Sequence, residues 1–177
     1  ELCFAYMFYG CEKLKNVPLL PSTTLAAGCY QHMFYGCKGL RRTPELPATE
    51  LVQSCYRSMF ALCTGLGVEA GASSRSPEPP AIRNIGAFSS SDGKLGYGSC
   101  YGVFYKCTGL SEAPEIKAGT IDDYCCSYMF YGCTGLAASP KLHATTLKKY
   151  SYSYMFYGCT GIASLGEIGA LGTGGVM

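Results

Sequence analysis

The pentapeptide Met-Phe-Tyr-Gly-Cys recurs verbatim at Met7–Cys11, Met33–Cys37, Met129–Cys133 and Met155–Cys159, with degenerate copies at Met59–Cys63 and Val103–Cys107. The closing cysteines stand at 11, 37, 63, 107, 133 and 159. Four of the five intervals are 26 residues and the fifth is 44, one period plus 18. A period between 20 and 50 residues is the mark of a solenoid, in which each unit has one apolar side and buries it only by stacking on its neighbours. The chain of 177 residues therefore reads as one array. Its repeats are 3–28, 29–54, 55–70, 99–124, 125–150 and 151–168, with an insertion at 71–98 and a Gly-rich tail at 169–177.

Within a repeat, Cys3, Met7 and Cys11 are spaced i, i+4, i+8, and Phe4, Phe8 and Cys11 are spaced i, i+4, i+7. This spacing predicts a short helix ending near Gly10. Pro18 and Pro21 forbid helix in the second half and favour an extended segment, after which Leu25 returns to the core. Stacking then sets Leu14 near Leu40, Phe8 near Phe34 and Cys11 near Cys37, and the extended segments can pair as parallel strands at about 4.8 Å per coil. The Gly-, Ser- and Pro-rich stretch 71–80 reads as a loop, and the insertion is expected to bulge from one face, making the third interface the weakest.

The pattern Cys-Tyr-x-x-Met-Phe-x-Gly-Cys-x-x-Leu, followed by x-x-x-Pro-x-Leu-Pro and a closing Leu, is carried by Cys29–Leu51 and, with substitutions, by Cys3–Leu25 and Cys125–Leu147. It resembles the BspA-like leucine-rich repeats, also called the Treponema pallidum type, and the resemblance covers all six repeats. It implies a right-handed superhelix with short parallel strands on the concave face and short helices or turns on the convex face. It also implies a surface protein of the kind that binds host matrix proteins or mediates attachment.

Charged residues are 15% and the net charge is +2, so there is no electrostatic basis for binding nucleic acid. No apolar run approaches the about 18–20 residues of a membrane span. Glu1 opens the chain inside a repeat, and neither end carries a polar cap, which reads as a fragment or processed form of a cell-surface or secreted protein.

Twelve cysteines would suggest a disulfide framework in a small secreted scaffold, but most recur in step with the repeat. One column is Cys3, Cys29, Cys55 and Cys125, with Ser99 and Ser151 substituting. The other is the set of closing cysteines. Serine at two positions makes bridging non-obligatory, and buried free thiols are the expectation; Cys100 and the adjacent Cys125 and Cys126 are the ones most open to oxidation or pairing. No Cys-x-x-Cys pair occurs, and His32 and His143 are isolated, so no metal or other cofactor is expected. His32 holds a slot that is Tyr in three other repeats and reads as an exposed substitution. No nucleophile has an evident partner, and the Gly-rich stretches lack the Lys-Ser/Thr of a phosphate loop.

Tyrosine forms the columns Tyr9, Tyr35, Tyr105, Tyr131, Tyr157 and Tyr6, Tyr128, Tyr154. These read either as recognition platforms or, preferably for the Tyr9 column, as a stacked row with hydroxyls in water. Contact candidates are the positions that vary between repeats: Lys15, Asn16, Arg41, Arg42, Ser111 and Glu112 (with Ala137 and Ala138) after the leading Leu, then Glu45, Glu115, Lys141 and Glu167. A plain solvated face is their alternative. The expected function is a non-enzymatic binding or adhesion surface for a protein partner, a host matrix or surface protein. A structural or self-associating subunit and a glycan reader are its rivals.

Overall fold

A computed structural model describes residues 1–68, 81–82, 84–89 and 91–168. The Gly-rich tail 169–177 and the loop 71–80 lie outside these residues. The described chain forms coils stacked along one axis, each bonded to the next through its backbone.

The helix expected over Cys3–Cys11 is absent. The segment is a ribbon of consecutive turns: the N–H groups of Met7, Tyr9 and Cys11 donate to the carbonyls three residues back, Phe4, Tyr6 and Phe8. The alternate N–H groups leave the coil. Those of Phe4, Tyr6, Phe8 and Gly10 donate to Cys29, Gln31, Met33 and Tyr35 at 2.9, 3.0, 2.9 and 2.8 Å. An α-helix would spend its interior N–H groups on carbonyls four residues back; here half of them tie one coil to the next. The geometry needs a left-handed residue every fourth position, supplied by Leu2, Tyr6 and Gly10 and, in the fifth coil, by Tyr124, Tyr128 and Gly132. Tyr6 (φ 60°) and Gly10 (φ 72°) are the third residues of their turns, where a type II turn requires positive φ. The buried set Cys29, Tyr30, Met33, Phe34 and Cys37 thus repeats every four residues. Across nine residues that period matches one face of a helix, which is why the spacing predicted one.

Opposite the ribbon runs a four-stranded parallel sheet of two-residue strands, β1 (Glu50–Leu51), β2 (Lys94–Leu95), β3 (Thr120–Ile121) and β4 (Thr146–Leu147), in chain order. The register pairs Leu51 with Leu95, Leu95 with Ile121 and Ile121 with Leu147, and these apolar members face inward. A second line of parallel bridges joins Leu46 to Ile85, and Ile116 through Leu142 to Ile168. This architecture of parallel strands with few helices is compatible with a repeat solenoid.

Part of the expected insertion belongs to the stack. Thr43 and Leu46 donate to Ala81 and Asn84 at 2.9 Å each, so this segment continues the third coil. The extra residues are divided. Leu66 and Ile85 are 19 apart where Leu40 and Leu46 are six apart; Ile85 and Leu95 are ten apart where Leu46 and Leu51 are five apart. The second excess is taken up by α1 (Gly86–Ser89), which buries Ala87 and Phe88. The ribbon crosses from third coil to fourth with the same bonds as elsewhere, including Tyr56 to Ser99 at 2.9 Å and Phe60 to Val103 at 3.0 Å.

The core is a set of columns. Phe8, Phe34, Phe60, Phe104, Phe130 and Phe156 stack with centroids 5.4–5.8 Å apart and planes within 9°. Beside them, the thiols of Cys37, Cys63, Cys107, Cys133 and Cys159 each donate to the carbonyl of the phenylalanine in the preceding coil, at 2.9–3.1 Å. Cysteine suits this column because it is a small hydrophobe that still carries a donor. A third column is glycine: Gly39, Gly65, Gly109, Gly135 and Gly161. A Cβ on any of them would lie 2.2–2.7 Å from a carbonyl oxygen of the preceding coil. Glycine is required there by close approach of two backbones, since none of the five has positive φ.

Candidate contact surface

The chain leaves the core at Leu14 and Leu40, and the proline-bearing segments that follow run side by side in the first two coils. Five of the nine principal contact candidates therefore meet. Lys15, Asn16, Arg41, Arg42 and Glu45 line one groove of about 470 Å³, floored by Val17, Pro18, Thr43 and Pro44 and edged by Leu19, which is 91% exposed. The guanidinium of Arg41 donates to the carbonyl of Gly65 at 3.3 Å, which pins it against the third coil. Three cations and one carboxylate make the groove basic, with an apolar rim.

The remaining four candidates lie in the fourth and fifth coils, and the structure does not bring them to this groove. Ser111 and Glu112 are exposed, and the Ser111 carbonyl accepts the Ala137 N–H at 3.2 Å. Glu115 is engaged by His143 at 2.6 Å and Lys117 at 3.6 Å, and Lys141 by Glu167 at 3.3 Å. The hydrogen bond from His143, aided by the Lys117 charge, holds the Glu115 carboxyl below its usual range. Ala138 pairs with Ser164 through the backbone. One face therefore carries a basic patch at its first coils and a charge-paired, Glu-rich patch farther along.

The tyrosine columns form stacked rows. Tyr9 lies on Tyr35 at 4.7 Å and 3°, Tyr105 on Tyr131 at 4.9 Å, and Tyr131 on Tyr157 at 5.1 Å. Tyr128 lies on Tyr154 at 5.0 Å. Ring faces are turned to one another, so interior rings offer solvent their edges and hydroxyls rather than a flat platform for sugar stacking. His32 is half-buried rather than exposed: it stacks on Tyr6 at 4.9 Å, and its buried Nδ1 has no hydrogen-bond partner among the described residues. Burial, with the nearby Arg57 charge, lowers its pKa.

Several residues of this surface are missed by column counting. Tyr97 and Tyr101 stand one position out of step, yet they pack on Tyr124 and Tyr128 at 5.9 and 5.3 Å, and Arg57 covers the Tyr101 ring at 4.2 Å. The glycine column was also legible, as the Gly two residues after each closing cysteine from Cys37 onward.

Cys100, Cys125 and Cys126, expected from the sequence to be the thiols most open to oxidation or pairing, are fully buried. They form a cluster in which Cys125 lies 3.7 Å from Cys126 and 3.2 Å from the Ser99 hydroxyl. Among the described residues, no group of three His, Cys, Asp or Glu side chains could hold a metal ion, and no helix is long and apolar enough to cross a membrane.

Burial pushes the Cys37 thiol up to about 11 and the Cys133 thiol up to about 12, from an ordinary value of 9.0. The unfolded chain then loses these protons before the folded one, so their contribution is complete below pH 9 and is lost as pH rises through the folded values. Urea unfolding midpoints are expected to be flat on this account below pH 9 and to fall above it, with a shallower fall in Cys37→Ala. Identical slopes in the two proteins would show that the Cys37 thiol does not contribute.

No family model matches the chain, and no curated protein matches it. A leucine-rich repeat protein from Bacteroides ovatus, known from a crystal structure, is 14% identical with a TM-score of 0.24, over 93% of this chain and 63% of that one. The chain thus spans under two thirds of that protein.

Proposed function

We propose that this chain is a non-enzymatic binding module, a leucine-rich-repeat right-handed superhelix that presents an extended surface to a protein partner on a microbial cell surface. The observation that carries the reading is the groove in which Lys15, Asn16, Arg41, Arg42 and Glu45 converge. Its charge suits an acidic, extended segment of a matrix or surface protein, with Leu19 as an apolar contact at the rim. Affinity comes from many modest contacts along the coils, and the cations contribute chiefly to association rate and salt dependence.

The test is binding of the purified chain to immobilised matrix glycoproteins over a salt series, with Lys15→Glu/Arg42→Glu alongside. The wild-type chain is expected to bind saturably as a single chain and to weaken with salt. The double variant is expected to lose about tenfold or more, the equivalent of about 1.4 kcal/mol. Equal binding by both proteins would remove the groove from the interface; absence of binding by the wild type to every matrix protein would remove the adhesin reading. An assembly subunit is the second reading, supported by the regular stacked tyrosine rows and the low share of charged residues, 15%.

A further inference from the structure

A second cleft, of about 610 Å³, opens on the strand side of the stack and runs across β1, β2 and β3. The register explains its place. Leu51, Leu95, Ile121 and Leu147 pair along the sheet with their side chains inward, so the residues on either side of them face outward. The row that follows them is Val52, Gly96, Asp122 and Lys148. It has a gap at Gly96, which carries no side chain between Val52 and Asp122, and all four residues line the cleft.

The polar lining is charge-balanced: two carboxylates and two ammonium groups. Lys94 pairs with Glu50, and Lys148 with Asp122 at 3.0 Å. Solvent reaches both pairs, and such pairs are weakly held, so their oxygens and N–H groups stay available to a third group. The exposed Gln53 amide and Thr120 hydroxyl also line the cleft, and neither side chain has a hydrogen-bond partner among the described residues.

Tyr97 supplies the aromatic surface. Its ring is 46% exposed and lines the cleft. It meets Tyr124 at 61°, and its counterpart in the preceding coil is Gln53, so among the described residues no ring lies flat on it. The rings of Tyr35 and Tyr131, by contrast, are covered by stacking on their neighbours.

We infer that this cleft binds a neutral oligosaccharide, with one sugar ring lying on Tyr97 and its hydroxyls bonded to the polar groups around it. A sugar ring has an apolar C–H face that suits an aromatic surface, and a rim of hydroxyls that both donate and accept. The volume lies in the range of small-molecule sites. An anionic ligand is disfavoured because each cation in the cleft already has a carboxylate. A peptide is disfavoured because the apolar members of the strands are turned inward. The site shares no residue with the basic groove of the first two coils and stands independently of it.

The experiment is saturation-transfer NMR and calorimetry on the full chain. The probes are neutral oligosaccharides of glucose, galactose and mannose, with a sialylated and a sulfated oligosaccharide as charged comparators. At least one neutral probe is expected to bind saturably and to change little over a salt series, since the cleft has no net charge to screen. Tyr97→Ala is expected to weaken that binding about tenfold or more, and Tyr97→Phe, which keeps the ring, clearly less. Lys15→Glu/Arg42→Glu is expected to bind the sugar as the wild type does, so the two sites are read separately. Four results would overturn the inference: no binding of any neutral probe; unchanged binding by Tyr97→Ala; loss of sugar binding in Lys15→Glu/Arg42→Glu; or preference for a charged comparator that fades with salt, which would mark an anion site.

Discussion

Phe104→Ala is expected to destabilise the protein by about 3–5 kcal/mol, the range for deleting a fully buried phenylalanine ring. Phe104 is completely buried between Phe60 at 5.8 Å and Phe130 at 5.6 Å. The size of such a loss depends on how far the site can collapse, and here it cannot collapse far. Phe60 donates to Val103, and Phe104 to Met129, both at 3.0 Å, so the coil spacing is fixed by backbone bonds rather than by the ring. The void should therefore persist, placing the loss toward the upper end. In a nearest-neighbour array a weakened central interface can also uncouple the two halves, which would broaden the urea transition or split it in two. Phe156→Ala, in the sixth coil and only partly buried, is expected to lose clearly less. Equal losses at the two positions would contradict this account of the core.

Gly65→Ala is expected to lose about 1–3 kcal/mol, the range for forcing an extra methyl into a packed interior. The sign is the informative part. Where backbone and space allow, Gly→Ala stabilises by about 0.4–1 kcal/mol by restricting the unfolded chain. Gly65 has no positive φ, so its backbone alone would permit alanine. The obstacle is the preceding coil: the new Cβ would lie 2.2 Å from the Lys38 carbonyl oxygen and 3.0 Å from that of Leu40. Lys13 is exposed at the same place in the first coil, so Lys13→Ala in this chain is expected to change stability by only a few tenths of a kcal/mol. Thermal or urea unfolding of the two variants is the check, and a stabilised Gly65→Ala protein would refute the close approach.

The sequence alone determined which residues share a column. The 26-residue period sets Phe8 over Phe34 and Tyr9 over Tyr35, with a thiol in every coil, and the structure stacks the aromatic columns face to face. It also marked Pro18 and Pro21 as ending any local helix, and no helix follows them. These features were legible because facing in or out is written into the chemistry of each residue.

Only the tertiary structure decided how the backbone carries those columns. The segment Cys3–Cys11 suits a helix by side-chain spacing, but its alternate N–H groups find carbonyls 25 residues further along the chain, and that distant competition makes it a turn ribbon. The contact candidates divide into two patches for a similar reason. Lys15 and Arg41 meet because adjacent coils stack, whereas Glu115 and Lys141 are claimed by His143 and Glu167 of neighbouring coils. Tyr97 and Tyr101 join rows that their numbering does not assign them, because a ring can reach across one residue of offset. Periodicity records what each residue prefers to face; partners one coil away, brought within 3 Å only by folding, select the backbone conformation and the grouping of the surface.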